Sequence, residues 1–155
     1  MKERSGSVQQ RKRLRVGQKA QMFYKVTREE ISAFAELTKD SNKIHTDQEF
    51  AKDQWFQKPI AHGMLPLSLL SAVMGRELPG DGTILMEIQS EFKKPVFEEE
   101  ILEAKITFTG VKEERIYYIG EFRGVCRNQK EEIVVTMKAR QMMMKNLFEV
   151  VEEEE

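Results

Sequence analysis

Two histidines, His45 and His62, are the side chains in this chain best suited to proton transfer near neutral pH. Asp40 and Asn42 lie shortly before His45, in a polar loop over residues 39–45. A carboxylate beside an imidazole can act as an acid–base pair, in which one group holds or transfers a proton while the other orients water. The same residues could instead form an Asx-turn in which Asp40 and Asn42 only hold the loop. The spacing alone favours neither interpretation.

Gly63 is a second candidate for chemistry, because it lies at the predicted start of an apolar helix. A free backbone amide at that position, with the positive end of the helix dipole behind it, can stabilise negative charge on a substrate carbonyl. The alternative is that the glycine only permits a sharp turn. The neighbouring His62 is predicted to bond to the loop backbone. We predict no metal site, because no further ligand cluster accompanies the two histidines.

Capping signals predict the helices that must position these residues. Thr27 and Glu30 have the spacing of a capping box, which predicts a helix from there to about Thr38. A similar signal over residues 46–49 predicts a second, short helix that begins at Thr46. Pro66 is tolerated only in the first turn of a helix, so the apolar segment that follows is expected to begin near Gly63 and to be buried.

The second half of the chain has the composition of β-strands. β-branched, aromatic and methionine residues predict strands over residues 83–92, 101–109, 116–125 and 133–144, after an early one at 22–26. Gly110 and Asn128 are predicted to lie in turns. Strands joined by short connections form an antiparallel meander, and one buried helix before them predicts an α+β fold in which the sheet wraps around the helix.

Composition and charge limit the possible functions. The chain has 155 residues and a net charge of −1, without a repeat or a flexible linker, so we predict one domain. Residues 1–15 are expected to be a disordered basic arm, 16–148 the domain and 149–155 an acidic tail. The arm has no interleaved aromatics, so no nucleic-acid partner is predicted. No apolar run approaches the roughly 20 residues that cross a bilayer, so no membrane partner is predicted either. The single cysteine, Cys126, is expected to be a buried thiol in a cytoplasmic protein without a signal peptide.

The loop from Asp40 to His45 and the segment Phe56-Gln-Lys-Pro-Ile-Ala-His-Gly-Met-Leu65, with Ser71 after them, resemble the motifs of MaoC-like dehydratases, a family that includes (R)-specific enoyl-CoA hydratases. The resemblance covers about residues 16–145. It implies a hot-dog fold, in which an antiparallel sheet wraps around one long helix. It also implies a homodimer or higher homo-oligomer, with active sites near the subunit interface.

The resemblance assigns a role to each candidate residue. It implies that Asp40 and His45 activate water and shuttle a proton, and that Asn42 is the asparagine of the catalytic loop. It also implies that the Gly63 amide polarises a thioester carbonyl and that Ser71 supports the aspartate. The implied reaction is reversible addition of water to a trans-2-enoyl thioester of coenzyme A or acyl-carrier protein, which gives an (R)-3-hydroxyacyl thioester. No metal or redox cofactor is implied.

Two loop residues depart from the family pattern Gly-Asp-x-Asn-Pro-x-His. Lys39 replaces the glycine and Lys43 replaces the proline. A lysine has a steric cost wherever the turn needs a positive φ. These departures leave open a hot-dog module that binds acyl-CoA or acyl-carrier protein without catalysis. A thioesterase of the same fold is disfavoured, because the central helix over residues 65–75 contains no acid.

Overall fold

The computed structural model describes residues 10–152. The helices are α1 (Arg28–Thr38), α2 (Lys43–Thr46), α3 (Gln48–Lys52) and α4 (Met64–Arg76). The strands, numbered along the chain, are β1 (Lys12–Leu14), β2 (Lys19–Lys25), β3 (Ile84–Phe92), β4 (Ile101–Glu113), β5 (Tyr117–Arg127), β6 (Ile133–Met144) and β7 (Phe148–Val150).

A five-stranded antiparallel sheet has the strand order β2-β4-β5-β6-β3. The predicted meander is confirmed for β4, β5 and β6, which are neighbours in both chain and sheet. In each of these strands the residues alternate between a buried face and a more exposed one. Phe108 and Phe122 stack on the buried face, with their ring centroids 4.9 Å apart. This alternation gives the sheet one apolar side, which has to be covered.

Helix α4 covers that apolar side. It packs against β4, β5 and β6, and most of its side chains are buried, including Leu70 and Met74, which have no exposed surface. Burying one such side chain contributes roughly 1.5–3 kcal/mol, which explains why the helix is apolar on most sides. The predicted α+β class is confirmed, and a sheet around one buried helix matches the hot-dog arrangement. Within residues 10–152, no helix combines the length and the apolar character that a membrane span requires.

Helix α1 begins as predicted. The Thr27 hydroxyl accepts a hydrogen bond from the Glu30 amide at 3.2 Å, and the Glu30 carboxylate accepts one from the Thr27 amide at 3.4 Å. The second predicted helix start is wrong by one residue. Asp47 caps α3 by accepting from the Phe50 amide at 3.1 Å, since Thr46 is already the last residue of α2.

The predicted domain boundaries are wrong at both ends of the described chain. β1 pairs in parallel with β7, which places Leu14 and Phe148 in the core, where each is 1% exposed or less. Glu149, expected in a free tail, forms ion pairs with Arg11 and Arg13 at 3.6 and 3.4 Å. Order therefore begins before residue 16 and continues past residue 148. The remainder of the expected arm and tail, residues 1–9 and 153–155, lies outside the described residues.

The predicted turn at Gly110 is also wrong, because β4 continues through it to Glu113. The pairing of β4 with β5 shifts register between Phe108 and Gly110, which marks a β-bulge. A side chain at Gly110 would place its Cβ 3.1 Å from the Glu121 carboxylate. The glycine therefore permits a close approach inside a strand. The turn predicted at Asn128 is confirmed, since that residue lies between β5 and β6.

Candidate active site

The loop between α1 and α2 is held by its own polar side chains. One Asp40 carboxylate oxygen accepts from the Asn42 amide at 3.3 Å, and the Asn42 side chain accepts from the Ile44 amide at 3.2 Å and caps α2. These bonds form the Asx-turn considered as an alternative. They leave the second Asp40 carboxylate oxygen without a hydrogen-bond partner among the described residues. Asp40 is therefore oriented by the turn and keeps one oxygen for other contacts.

Both departures from the family loop are accommodated by the backbone. Lys39 ends α1 in the left-handed conformation, with φ 65° and ψ 9°. This confirms that the lysine occupies a position that favours glycine. Lys43 is the first residue of α2 and follows Asn42, whose ψ is 131°. Proline suits that first helical position, and other residues fit it as well.

His45 lies in α2 and is 6% exposed. Its Nδ1 is 2.7 Å from the Ile60 carbonyl oxygen. Because a carbonyl can only accept, Nδ1 carries the hydrogen and Nε2 keeps a free lone pair. Burial lowers the pKa of His45, and His62 acts in the same direction, while the Ile60 bond and Asp40 oppose them. The imidazole is therefore neutral near pH 7, with Nε2 able to accept a proton.

His62 joins the two predicted catalytic residues. Its Nε2 donates to the Asp40 main-chain carbonyl at 2.9 Å, which confirms the predicted bond to the loop backbone. Its ring stacks on His45, with centroids 3.8 Å apart and planes inclined by 26°. One potential ligand atom from each of Asp40, His45 and His62 lies within 4.8 Å of the other two. The structure thus brings Asp40 and His45 into one cluster, as the acid–base interpretation requires.

The same cluster is the group in the described chain most suited to hold a metal ion. Zinc ligands at 2.0–2.2 Å in a tetrahedral site are about 3.5 Å from one another, and the three atoms here lie within 4.8 Å of one another. One nitrogen of each histidine is also committed to a carbonyl. The absence of a metal from the function stays a prediction.

Gly63 and His45 line one cavity of about 440 Å³. Ligand sites commonly measure roughly 300–1,000 Å³. Gly63 precedes the first turn of α4, and its N–H donates to no other described residue. The remaining lining residues are mostly apolar, apart from two lysines: Ile44, Trp55, Ile60, Ala61, Pro66, Phe92, Lys93, Lys94, Pro95, Val96 and Val135. Two grooves of about 430 and 420 Å³ on the outer sheet face lack these groups and are lined mainly by polar and charged side chains.

The Phe92 ring packs closely against Gly63. A Cβ added there would lie 3.0 Å from the Phe92 ring, a spacing that forces the ring to move. The amide and the aromatic ring therefore meet closely at the cavity wall. Sequence reasoning identified Gly63 but missed Phe92 and Trp55, the single tryptophan, which is 80% exposed at the cavity. The sequence signal for Trp55 was an aromatic residue directly after the polar residues 52–54, and Phe92 had no such signal.

Two other predicted site residues add no side-chain hydrogen bond to the cluster among the described residues. Ser71 is partly buried in α4, about 12 Å along the helix axis from Gly63, and it forms no hydrogen bond with Asp40 among the described residues. The Asn42 main-chain N–H donates to the Asp40 carboxylate, and the Asn42 side-chain oxygen caps α2. Their roles in the chemistry stay predictions. Cys126 is buried as expected, and burial raises the pKa of its thiol to about 12, which leaves it unreactive.

Comparison with known proteins gives one consistent family. The model of the MaoC like domain matches residues 11–121. An (R)-specific enoyl-CoA hydratase of Aeromonas caviae is 40% identical over 66% of this chain and 76% of its own length. One of Rhodospirillum rubrum is 34% identical over 73% of this chain and 77% of its own. The solved structure of the (R)-hydratase from A. caviae involved in PHA biosynthesis superposes with a TM-score of 0.78 at 36% identity, covering 83% of this chain and 96% of that one.

Proposed function

Since the chain belongs to the MaoC-like family, we propose that it is an (R)-specific enoyl-CoA hydratase, a hydro-lyase that adds water reversibly to trans-2-enoyl thioesters. The observation that carries this proposal is the state of His45. It is buried and neutral, its Nε2 is free, it is clustered with Asp40, and it lies in the wall of an apolar cavity. That combination can remove a proton from water beside an apolar acyl chain.

The proposed reaction begins with a water molecule between the two catalytic side chains. His45 Nε2 takes one proton from this water, and the free carboxylate oxygen of Asp40 orients it. The hydroxide oxygen forms a bond to the β-carbon, and the electrons of the double bond move toward the thioester oxygen. The α-carbon then takes up the proton. The product is a 3-hydroxyacyl thioester, and the same steps reversed give dehydration.

Gly63 stabilises the negative charge that develops on the thioester oxygen. Its N–H is free, and the thirteen-residue helix α4 places the positive end of its dipole at this amide. An oxygen bound here lies in the same cavity as His45. Loss of one such donor typically reduces kcat by about 10²–10³-fold.

The substrate carrier is coenzyme A in this proposal. Two relatives that are 40% and 34% identical are enoyl-CoA hydratases by their names, whereas a 3-hydroxyacyl-[acyl-carrier-protein] dehydratase of Arabidopsis thaliana is 27% identical. Lys93 and Lys94 at the cavity form ion pairs with Glu91 and Glu132, and the phosphates of either carrier would compete for the same two cations. Acyl-carrier protein is therefore the carrier to compare in the assay.

We also place the active enzyme in a cytoplasmic homodimer. The edge strand β3 exposes a run of large apolar side chains, of which Ile84, Leu85 and Phe92 are each at least 45% exposed. Met64 at the start of α4 is 56% exposed as well. A second copy paired along β3 would cover these side chains and adjoin the cavity at Phe92.

The test is the absorbance of the enoyl-thioester band during incubation with crotonyl-CoA, longer enoyl-CoA chains and crotonyl-acyl-carrier protein. We expect the band to be lost with the CoA thioesters, and a 3-hydroxyacyl-CoA dehydrogenase specific for the (S) product to leave the product unoxidised. If calorimetry shows that crotonyl-CoA binds but the absorbance band is not lost, the proposed hydratase activity would be wrong and the chain would be a binding module. Release of free thiol would indicate a thioesterase.

A further inference from the structure

We propose that His62 is a positioning residue of the catalytic pair, holding Asp40 through the main chain and His45 through ring stacking. This inference rests on the proposed function for its kinetic consequences. It extends that function because the reaction described above assigns no role to His62. His62 makes one hydrogen bond to the Asp40 main chain and stacks on the His45 ring.

The hydrogen bond fixes the loop that carries Asp40. His62 Nε2 donates to the Asp40 carbonyl at 2.9 Å, across a separation of 22 residues. Asp40 itself is exposed, and its other contacts come from within its own loop and from the end of α1. The His62 bond is therefore the hydrogen bond that joins the Asp40 backbone to the buried segment just before α4.

Stacking fixes His45 from the other side. The His62 ring lies against His45 at 3.8 Å and against Phe34 of α1 at 5.0 Å. His62 is 2% exposed, so its ring has no solvent-filled space into which it could rotate. Three elements of the fold, α1, α2 and the segment before α4, thus meet on one imidazole. The distance between the Asp40 carboxylate and His45 Nε2 depends on where that imidazole sits.

The hydrogen bonds require opposite tautomers in the two rings. His45 carries its hydrogen on Nδ1, and His62 carries its own on Nε2, because each of these nitrogens faces a carbonyl oxygen. His62 Nδ1 is buried and has no partner among the described residues. The carbonyl that each imidazole faces thus fixes its tautomer.

The chain offers a direct test, because it contains only two histidines. In protein labelled with ¹⁵N-histidine, two-bond ¹H–¹⁵N spectra at pH 7 should show one ring protonated on Nδ1 and the other on Nε2. Two rings of the same tautomer would overturn the arrangement. This measurement needs neither a variant nor catalytic activity.

A matched pair of variants tests the consequence for catalysis. The amide nitrogen of glutamine reaches the position of histidine Nε2, whereas that of asparagine reaches only as far as Nδ1. We expect His62→Gln to keep kcat within about threefold of wild type and His62→Asn to lower it on the order of 10–100-fold, with KM changed less than about twofold in both. The backbone amide signals of Asp40 and Asn42 should shift in the asparagine variant alone.

The outcomes separate this inference from the proposed function. Equal kcat in the two variants, or unchanged Asp40 and Asn42 amide signals in His62→Asn, would show that His62 does not position the pair. A loss confined to KM, or one that follows the melting temperature in both variants, would assign His62 a merely structural role. If wild type hydrates no enoyl thioester, the proposed function fails, while the tautomers and amide shifts still decide the arrangement.

Discussion

Replacing Lys39 by glycine is expected to stabilise this protein. Lys39 ends α1 with a φ of 65°, where the Cβ of an L-residue approaches the following carbonyl oxygen. The family pattern places a glycine here, and no hydrogen bond or ion pair of the Lys39 side chain within residues 10–152 compensates for the strain. Lys39→Gly should therefore relieve strain without removing a contact.

The magnitude follows from two opposing contributions. The left-handed conformation costs a non-glycine residue about 1–2 kcal/mol. Glycine also makes the unfolded chain more flexible, which lowers the free energy of unfolding by about 0.4–1 kcal/mol. The net increase in the free energy of unfolding is about 0.5–1 kcal/mol, which corresponds to a rise in melting temperature of roughly 1–4 °C for a chain of this size.

Lys39→Ala is the matched control, because it removes the same charge and keeps the Cβ. Urea unfolding of the two variants and wild type, monitored by circular dichroism, gives the comparison. We expect the glycine variant to be about 1 kcal/mol more stable than the alanine variant, with unchanged m-values. Equal stability of the two variants would refute the argument, since it would show that the Cβ causes no strain at this position.

Three further predictions concern the site. Gly63→Ala should lower kcat/KM by roughly 3–10-fold, because a Cβ 3.0 Å from the Phe92 ring would shift the cavity wall beside the amide by a few tenths of an ångström. A Cβ at Gly75 in the same helix meets nothing within 4 Å, so Gly75→Ala should leave kcat/KM unchanged. The acidic limb of the kcat/KM profile should lie below pH 6.5, because burial lowers the pKa of His45, and a limb above pH 6.5 would contradict this prediction. The free energy of unfolding should also fall as the pH drops from 6.5 to the pKa of His45 in the folded protein, since the unfolded chain binds this proton first. Emission from Trp55, the single tryptophan, should shift to the blue when butyryl-CoA displaces water from the cavity, and an unchanged spectrum at saturation would place the acyl group elsewhere.

Features encoded by neighbouring residues could be predicted from the sequence. The capping box at Thr27 and Glu30 contains its own hydrogen-bonding groups, so its outcome does not depend on the rest of the fold. The strand over residues 133–144 was predicted with its observed bounds, because its composition favours extended backbone throughout. The start of α4 was located by Pro66, whose ring excludes any later position in a helix.

Features that depend on distant partners could not be predicted in this way. Leu14 is buried only because β7, more than 130 residues later, pairs with β1. Gly110 has the local character of a turn, and only its pairing opposite Glu121 shows that it lies in a bulge. Short elements with one apolar residue carry too weak a periodic pattern to indicate burial.

In the candidate site as well, the features set by nearby residues could be predicted and those set by distant residues could not. Asp40 and His45 are five residues apart, so a single loop brings them near each other and their pairing could be proposed from spacing. The stacking of His62 on His45 depends on how the segment before α4 packs under that loop, which no local signal reveals. The cavity also requires β3, whose Phe92 lies 29 residues beyond Gly63. Chemistry could thus be anticipated from residue types, and the shape of the site could not.

The most direct test of the central claim is the rate of crotonyl-CoA hydration by Asp40→Asn and His45→Gln, with Asp81→Asn as an exposed control outside the site. Asp40→Asn removes the carboxylate that orients the water, His45→Gln removes the imidazole that takes its proton, and each variant keeps a similar shape. If Asp40 and His45 form the acid–base pair, kcat should fall by about 10²–10⁴-fold in each site variant, with native circular dichroism and with the control at the wild-type rate. Rates within about threefold of wild type in either site variant would contradict the account.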